Sequence, residues 1–62
     1  MKRKELIRLI EQEGCRWLRE GGRHTVYFNP ENKKTSTIPR HSEVDDFLVK
    51  KIAKDLGITI KK

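Results

Sequence analysis

Apolar residues recur along this chain with two different periods. Between residues 2 and 13, Leu6, Leu9 and Ile10 fall at i, i+3 and i+4, and Ile7 widens the stripe. That period predicts an amphipathic helix with one buried face. Lys4, Arg8 and Glu11 take the opposite face, and Gly14 stands where a left-handed C-terminal cap is expected. From Cys15 onward the spacing shortens towards alternation, and three strands are predicted, over residues 15–20, 24–29 and 34–39. In the first, Cys15 and Trp17 share one side and Arg16 and Leu18 the other. In the second, His24, Val26 and Phe28 share a face, opposite Thr25 and Tyr27. The third carries the β-branched Thr35, Thr37 and Ile38 and stops at Pro39, which cannot donate to a ladder.

The punctuation fits these strands. Gly21-Gly22-Arg23 makes a tight turn in which glycine is expected to supply a positive φ, and residues 29–33 are rich in turn formers. A second helix is predicted over residues 43–56. Ser42 is its expected N-cap, Glu43, Asp45 and Asp46 suit its positive end, and Gly57 follows as C-cap. Its apolar stripe comprises Val44, Phe47 or Leu48, Ile52 and Leu56. Residues 58–62 form a short tail. The order is α-β-β-β-α, an α+β fold. Its three-stranded antiparallel sheet needs one face covered by both helices, which is the layout of a double-stranded-RNA-binding-like domain. Leu6, Ile10, Val26, Phe28, Leu48 and Ile52 are expected to be buried together.

Composition narrows the function classes. With 62 residues the chain is expected to be a single domain, 1–62, with a small core. The formal net charge of +6 favours a polyanionic partner. No stretch approaches the roughly 20 apolar residues of a membrane span, and the basic start leads into no secretory apolar region. A cytoplasmic protein without a membrane partner is expected. Cys15 is the only cysteine, which excludes an internal disulfide and agrees with a reducing compartment.

Candidate chemistry is sparse. One cysteine and two histidines at unrelated spacing make no metal pattern, and no phosphate-binding glycine loop is present, so neither metal nor cofactor is expected. The remaining centre is Gly22-Arg23-His24. A histidine at a hairpin mouth is either an ordinary polar strand residue or a general acid or base for RNA transesterification, in which the RNA's own 2′-OH attacks. Arg19 and Arg23 lie close enough to favour a phosphorane-like transition state, and Gly22 permits close approach of a phosphate. Arg16, Arg19, Arg23, Lys33, Lys34 and Arg40 come from the sheet and its loops and are expected to bind phosphates, whereas the helix lysines form a solvated face. Of the aromatic rings, Tyr27 is the expected exposed stacking surface and Trp17 is assigned to the core. His41, just before the second helix, is expected to be structural.

These pieces, in this order, resemble the HicA toxin family over roughly residues 4–58. The resemblance is carried by a first helix ending in Glu13-Gly14, a strand through Arg19, and Gly22-Arg23-His24 beside the family's Gly-Ser/Thr-His motif. It continues through Val26-Tyr27-Phe28, Thr37-Ile38-Pro39-Arg40-His41 and a closing helix ending in Leu56-Gly57-Ile58. It implies an mRNA-cleaving toxin with His24 as the catalytic histidine and a HicB-type antitoxin as partner. On the residue reading above, Arg19, Gly22, Arg23, Tyr27 and Arg40 are expected against the RNA, and the cleavage is expected to need no metal. Arg23 departs from the family's hydroxyl residue. The rival reading is a non-catalytic RNA-binding module that uses the same surface for shape recognition.

Overall fold

The structure is a computed structural model that describes residues 1–60, so the last two residues of the expected tail, Lys61 and Lys62, lie outside the described residues. The chain runs α1 (Arg3–Gln12), β1 (Arg16–Glu20), β2 (His24–Asn29), β3 (Lys34–Pro39) and α2 (Asp46–Leu56). The strands make one antiparallel sheet in the order β1-β2-β3, which puts β2 in the middle. This is the α-β-β-β-α, α+β architecture that the two periods predict.

Both helices pack on the same face. From α1, the Arg3 guanidinium donates to the Thr25 hydroxyl at 2.9 Å, and Glu11 accepts from the Tyr27 hydroxyl at 3.4 Å. On α2, the Leu56 carbonyl accepts from the Asn29 amide at 3.0 Å and Asp55 from the Ser36 hydroxyl at 3.2 Å. Thr25, Tyr27 and Asn29 are alternate residues of β2, and Ser36 is the cross-strand partner of Tyr27, so all four side chains lie on one face. Between this face and the helices sits a core of Leu6, Ile10, Cys15, Tyr27, Ile38, Val44, Val49, Ile52 and Leu56. Each fully buried leucine or isoleucine contributes on the order of 2 kcal/mol.

The parity of β2 is therefore the reverse of the sequence expectation. Val26 and Phe28 fall on the side away from the helices and stand outside the core cluster. The polar Thr25 and Asn29 can face inward because each finds hydrogen-bond partners there, Asn29 also accepting from the Glu31 amide at 3.0 Å. A strand's register moves all its residues together, so satisfying these two also turns Tyr27 inward.

The start of α2 differs too. Asp45, not Ser42, caps it, accepting from the amides of Phe47 at 2.8 Å and Leu48 at 3.2 Å. The Ser42 carbonyl instead accepts from the Arg3 amide at 2.9 Å, and Glu43 bridges Lys2. That pairing, with the Val44 amide donating to the Met1 carbonyl at 2.8 Å, ties residues 42–44 to the start of the chain, and the helix begins only at Asp46. Val44 is buried ahead of the helix, Val49 joins the stripe, Leu48 packs at its margin, and Phe47 is 78% exposed. The helix closes at Gly57, with φ +69°, where a Cβ atom would come within 2.5 Å of the Asn32 amide nitrogen. Asn29 and Asn32 both donate to the Leu56 carbonyl at 3.0 Å, which pins the β2–β3 turn onto the end of α2.

Candidate active site on the open sheet face

The side of the sheet away from the helices has a defined composition, set by the pairing of β1 with β2. Trp17 pairs with Tyr27 and Glu20 with Thr25, so these β1 residues share the helix side. The register shifts between Trp17 and Arg19, leaving Leu18 as an extra residue. As a result Arg16 pairs with Phe28 and Arg19 with Val26, and both arginines share the open side. Rows across this face read Arg16–Phe28–Thr35, Arg19–Val26–Thr37 and, at the hairpin mouth, His24–Pro39. Among the described residues no carboxylate stands in these rows, and neither arginine makes an ion pair. His24 is exposed and opens β2. Its carbonyl accepts from the Gly21 amide at 2.7 Å, while its imidazole has no hydrogen bond among the described residues. Arg19, opposite Val26, lies diagonally from His24, about 7–8 Å away between Cα atoms for such a pair.

Behind the histidine, on the helix side, one carboxylate gathers the hairpin mouth. Glu20 accepts from the Trp17 indole at 2.8 Å, the Thr25 hydroxyl at 3.0 Å and the Arg40 guanidinium at 2.7 Å. Arg40 also donates to the Gly21 carbonyl at 2.9 Å, and Arg3 ties Thr25 to the Pro39 carbonyl, the latter at 2.8 Å. The end of β1, the start of β2, the end of β3 and the start of α1 thus meet at one knot. The indole bond, with those from Thr25 and Arg40, holds the Glu20 carboxyl below its ordinary range against a smaller effect of burial.

The residues singled out from the sequence separate accordingly. His24 and Arg19 share the open face. Arg23 and Gly22 are exposed in the turn. Gly22 has open space around it, and neither turn glycine uses a positive φ. The tighter position is Gly21, where a Cβ would sit 3.2 Å from the His24 carbonyl oxygen. Arg40 is committed to Glu20 and Gly21 on the far side of the sheet. Tyr27 is only 6% exposed and its hydroxyl points to Glu11, so it offers no face for stacking; its burial, with the nearby Glu11 charge, raises its pKa. Trp17, assigned to the core from sequence, is 53% exposed at the sheet edge. His41 lies exposed between β3 and α2 and caps nothing. Sequence reasoning missed Phe28 and Glu20. For Glu20 the signal was the β1–β2 register, which a bulge hides from simple alternation, and for Phe28 it was the parity of β2, which polar Thr25 and Asn29 reverse.

Among the described residues no three histidine, cysteine, aspartate or glutamate side chains gather as a metal site, and no helix is long and apolar enough to cross a membrane. The family model for the HicA toxin of bacterial toxin–antitoxin systems matches residues 3–58 of the 62-residue chain. The chain belongs to the HicA toxin family. The matched span begins with α1 and ends just past Gly57, so every element of the site described above belongs to the HicA toxin region. No curated protein and no solved structure matches the chain.

Proposed function

We propose that this HicA-family toxin is an endoribonuclease that cleaves mRNA without a metal ion, with His24 moving the proton. The observation that carries this reading is an exposed imidazole that, among the described residues, makes no hydrogen bond and shares its sheet face with unpaired arginines and no carboxylate. The substrate brings its own nucleophile: the 2′-OH attacks the adjacent phosphorus, the 5′ oxygen leaves, and a 2′,3′-cyclic phosphate remains. What the protein must supply is proton transfer to or from one of those oxygens and stabilisation of the negative phosphorane. An imidazole ring can accept or donate a proton, so this side chain suits either role. Arg19 supports the second task from the neighbouring row, and Arg23 adds charge from the turn. The family match supports the toxin role, and a HicB-type antitoxin is the proposed partner that holds the enzyme inactive in the cytoplasm by covering the His24 face. Its attraction would follow from the toxin's net charge of +6.

The test is cleavage of an mRNA transcript in EDTA by the wild type and by His24→Ala, with end-group analysis of the products. Cleavage in chelator leaving cyclic or 3′-phosphate ends, lost in the variant without a change in melting temperature, supports the assignment. Full activity of His24→Ala removes the histidine from the mechanism. RNA binding without cleavage by the wild type establishes the rival reading of a non-catalytic module.

A further inference from the structure

We infer that the open sheet face is a platform for single-stranded RNA, on which Phe28 stacks an unpaired base and Arg16 and Arg19 hold consecutive phosphates. This rests on the ribonuclease reading for the identity of the polyanion, but the recognition surface follows from the sheet itself. Three observations converge on it. The face is left bare by both helices, which pack through Thr25, Tyr27, Asn29 and Ser36 on the other side. Its charge is of one sign among the described residues, because Glu20 and Asp55 are turned to the helix side by their bonds to Thr25 and Ser36. Finally, the only aromatic ring on this face among the described residues, Phe28, is half-buried in the central strand between Arg16 and Thr35.

The register supplies the spacing. Arg19 stands opposite Val26 and Arg16 opposite Phe28, two residues further along β2. Two residues of strand span about 6.6 Å, which matches the step between successive phosphates of an extended strand. His24, two residues from Val26 in the other direction, continues the same progression. A strand of RNA laid along β2 therefore meets the imidazole, then a phosphate ligand, then a second phosphate ligand beside a ring, at comparable intervals. A duplex does not fit this surface. Its bases are paired and stacked inward, so none can present its plane to Phe28, and the narrow major groove of A-form RNA shuts out side chains. Stacking on an aromatic ring is tolerant of base identity, which suits an enzyme acting on many messages.

Binding is measured with a 2′-O-methyl oligoribonucleotide of mixed sequence, labelled for fluorescence anisotropy. It has no 2′-OH to attack, so it stays intact whichever residue is catalytic, and failure of the platform is distinguishable from failure of the His24 assignment. The single strand is expected to bind the wild-type protein at least about tenfold more tightly than the same strand annealed to its complement. Phe28→Leu is expected to weaken single-strand binding about fivefold or more. Arg16→Gln, on an exposed edge where folding is not at stake, is expected to lower the slope of log affinity against log salt by about 0.7, the share of one phosphate contact on a single strand. Lys50→Gln, on the solvated side of α2, is expected to change neither. Equal or tighter binding of the duplex, or a wild-type salt slope in Arg16→Gln, overturns the proposal, even where Phe28→Leu is impaired by loss of fold.

Discussion

Two neighbouring residues decide which face of β2 the helices cover, and exchanging their side-chain character tests it. Simple alternation of apolar and polar residues puts Val26 in the core and Thr25 in water. In the structure Thr25 is 3% exposed, accepts from Arg3 and donates to Glu20, while Val26 is 9% exposed on the open side. Thr25→Val keeps the shape and removes the hydroxyl. The bond from Arg3 is charge-assisted and half-buried, and its loss leaves a guanidinium nitrogen against a methyl group. That costs about 2 kcal/mol; the bond to exposed Glu20 is left uncounted because solvent screens it. A chain of this size has roughly 3–9 kcal/mol of total stability, so the loss is a large fraction. It should lower the melting temperature by about 8–16 °C. Val26→Thr removes one methyl group and adds a hydroxyl directly opposite Thr37, where a cross-strand hydrogen bond can satisfy it. Its cost should stay below about 1 kcal/mol. Thermal melts by circular dichroism on the two variants check the order. If Val26→Thr is the more damaging, the helices cover the other face and the open-face site described here is wrong.

Three further outcomes follow from particular contacts. Asp45→Ala should destabilise by about 1 kcal/mol in urea titrations, and Ser42→Ala by much less, because only Asp45 caps α2. Cys15 is buried, and burial with the Glu13 charge raises its thiol pKa, so it should resist iodoacetamide in the native protein and react at once in denaturant. Glu20 has its folded pKa lowered from 4.5, so its contribution to stability is present above that value and is lost as pH falls through the lower folded one. Glu20→Gln should therefore flatten the acid limb of a melting-temperature-against-pH curve, and an unchanged limb would show that the hairpin knot does not depend on that charge.

The order of elements was legible because both helices and all three strands carry a period that local steric preferences enforce. Boundaries were legible where the signal is a backbone conformation, as at Gly57. They were not legible where a distant segment competes, as at residues 42–44, which pair with the start of the chain. The candidate site split in the same way. His24 and Arg19 could be named from sequence because a hairpin mouth puts them close together. Arg40 was named for its charge, yet charge does not reveal a partner, and the partner here is Glu20, twenty residues back.

What sequence could not show is how the sheet sorts its charges. Along β1 the order is Arg16, Trp17, Leu18, Arg19, Glu20, in which strict alternation puts Arg16, Leu18 and Glu20 on one side and Trp17 and Arg19 on the other. Without the bulge, Arg16 and Glu20 would therefore share a face and Arg19 would lie on the opposite one. The extra residue at Leu18 moves Arg19 to the side of Arg16 and sends Glu20 to the other, with Trp17. One irregularity thus does two things at once. It brings both arginines of the strand onto the face that bears His24, and it delivers the single carboxylate of β1 to the knot that fixes the hairpin behind that histidine. Deleting Leu18 would restore alternation and undo both, which makes the bulge, and not any single charged residue, the feature on which the proposed active face depends.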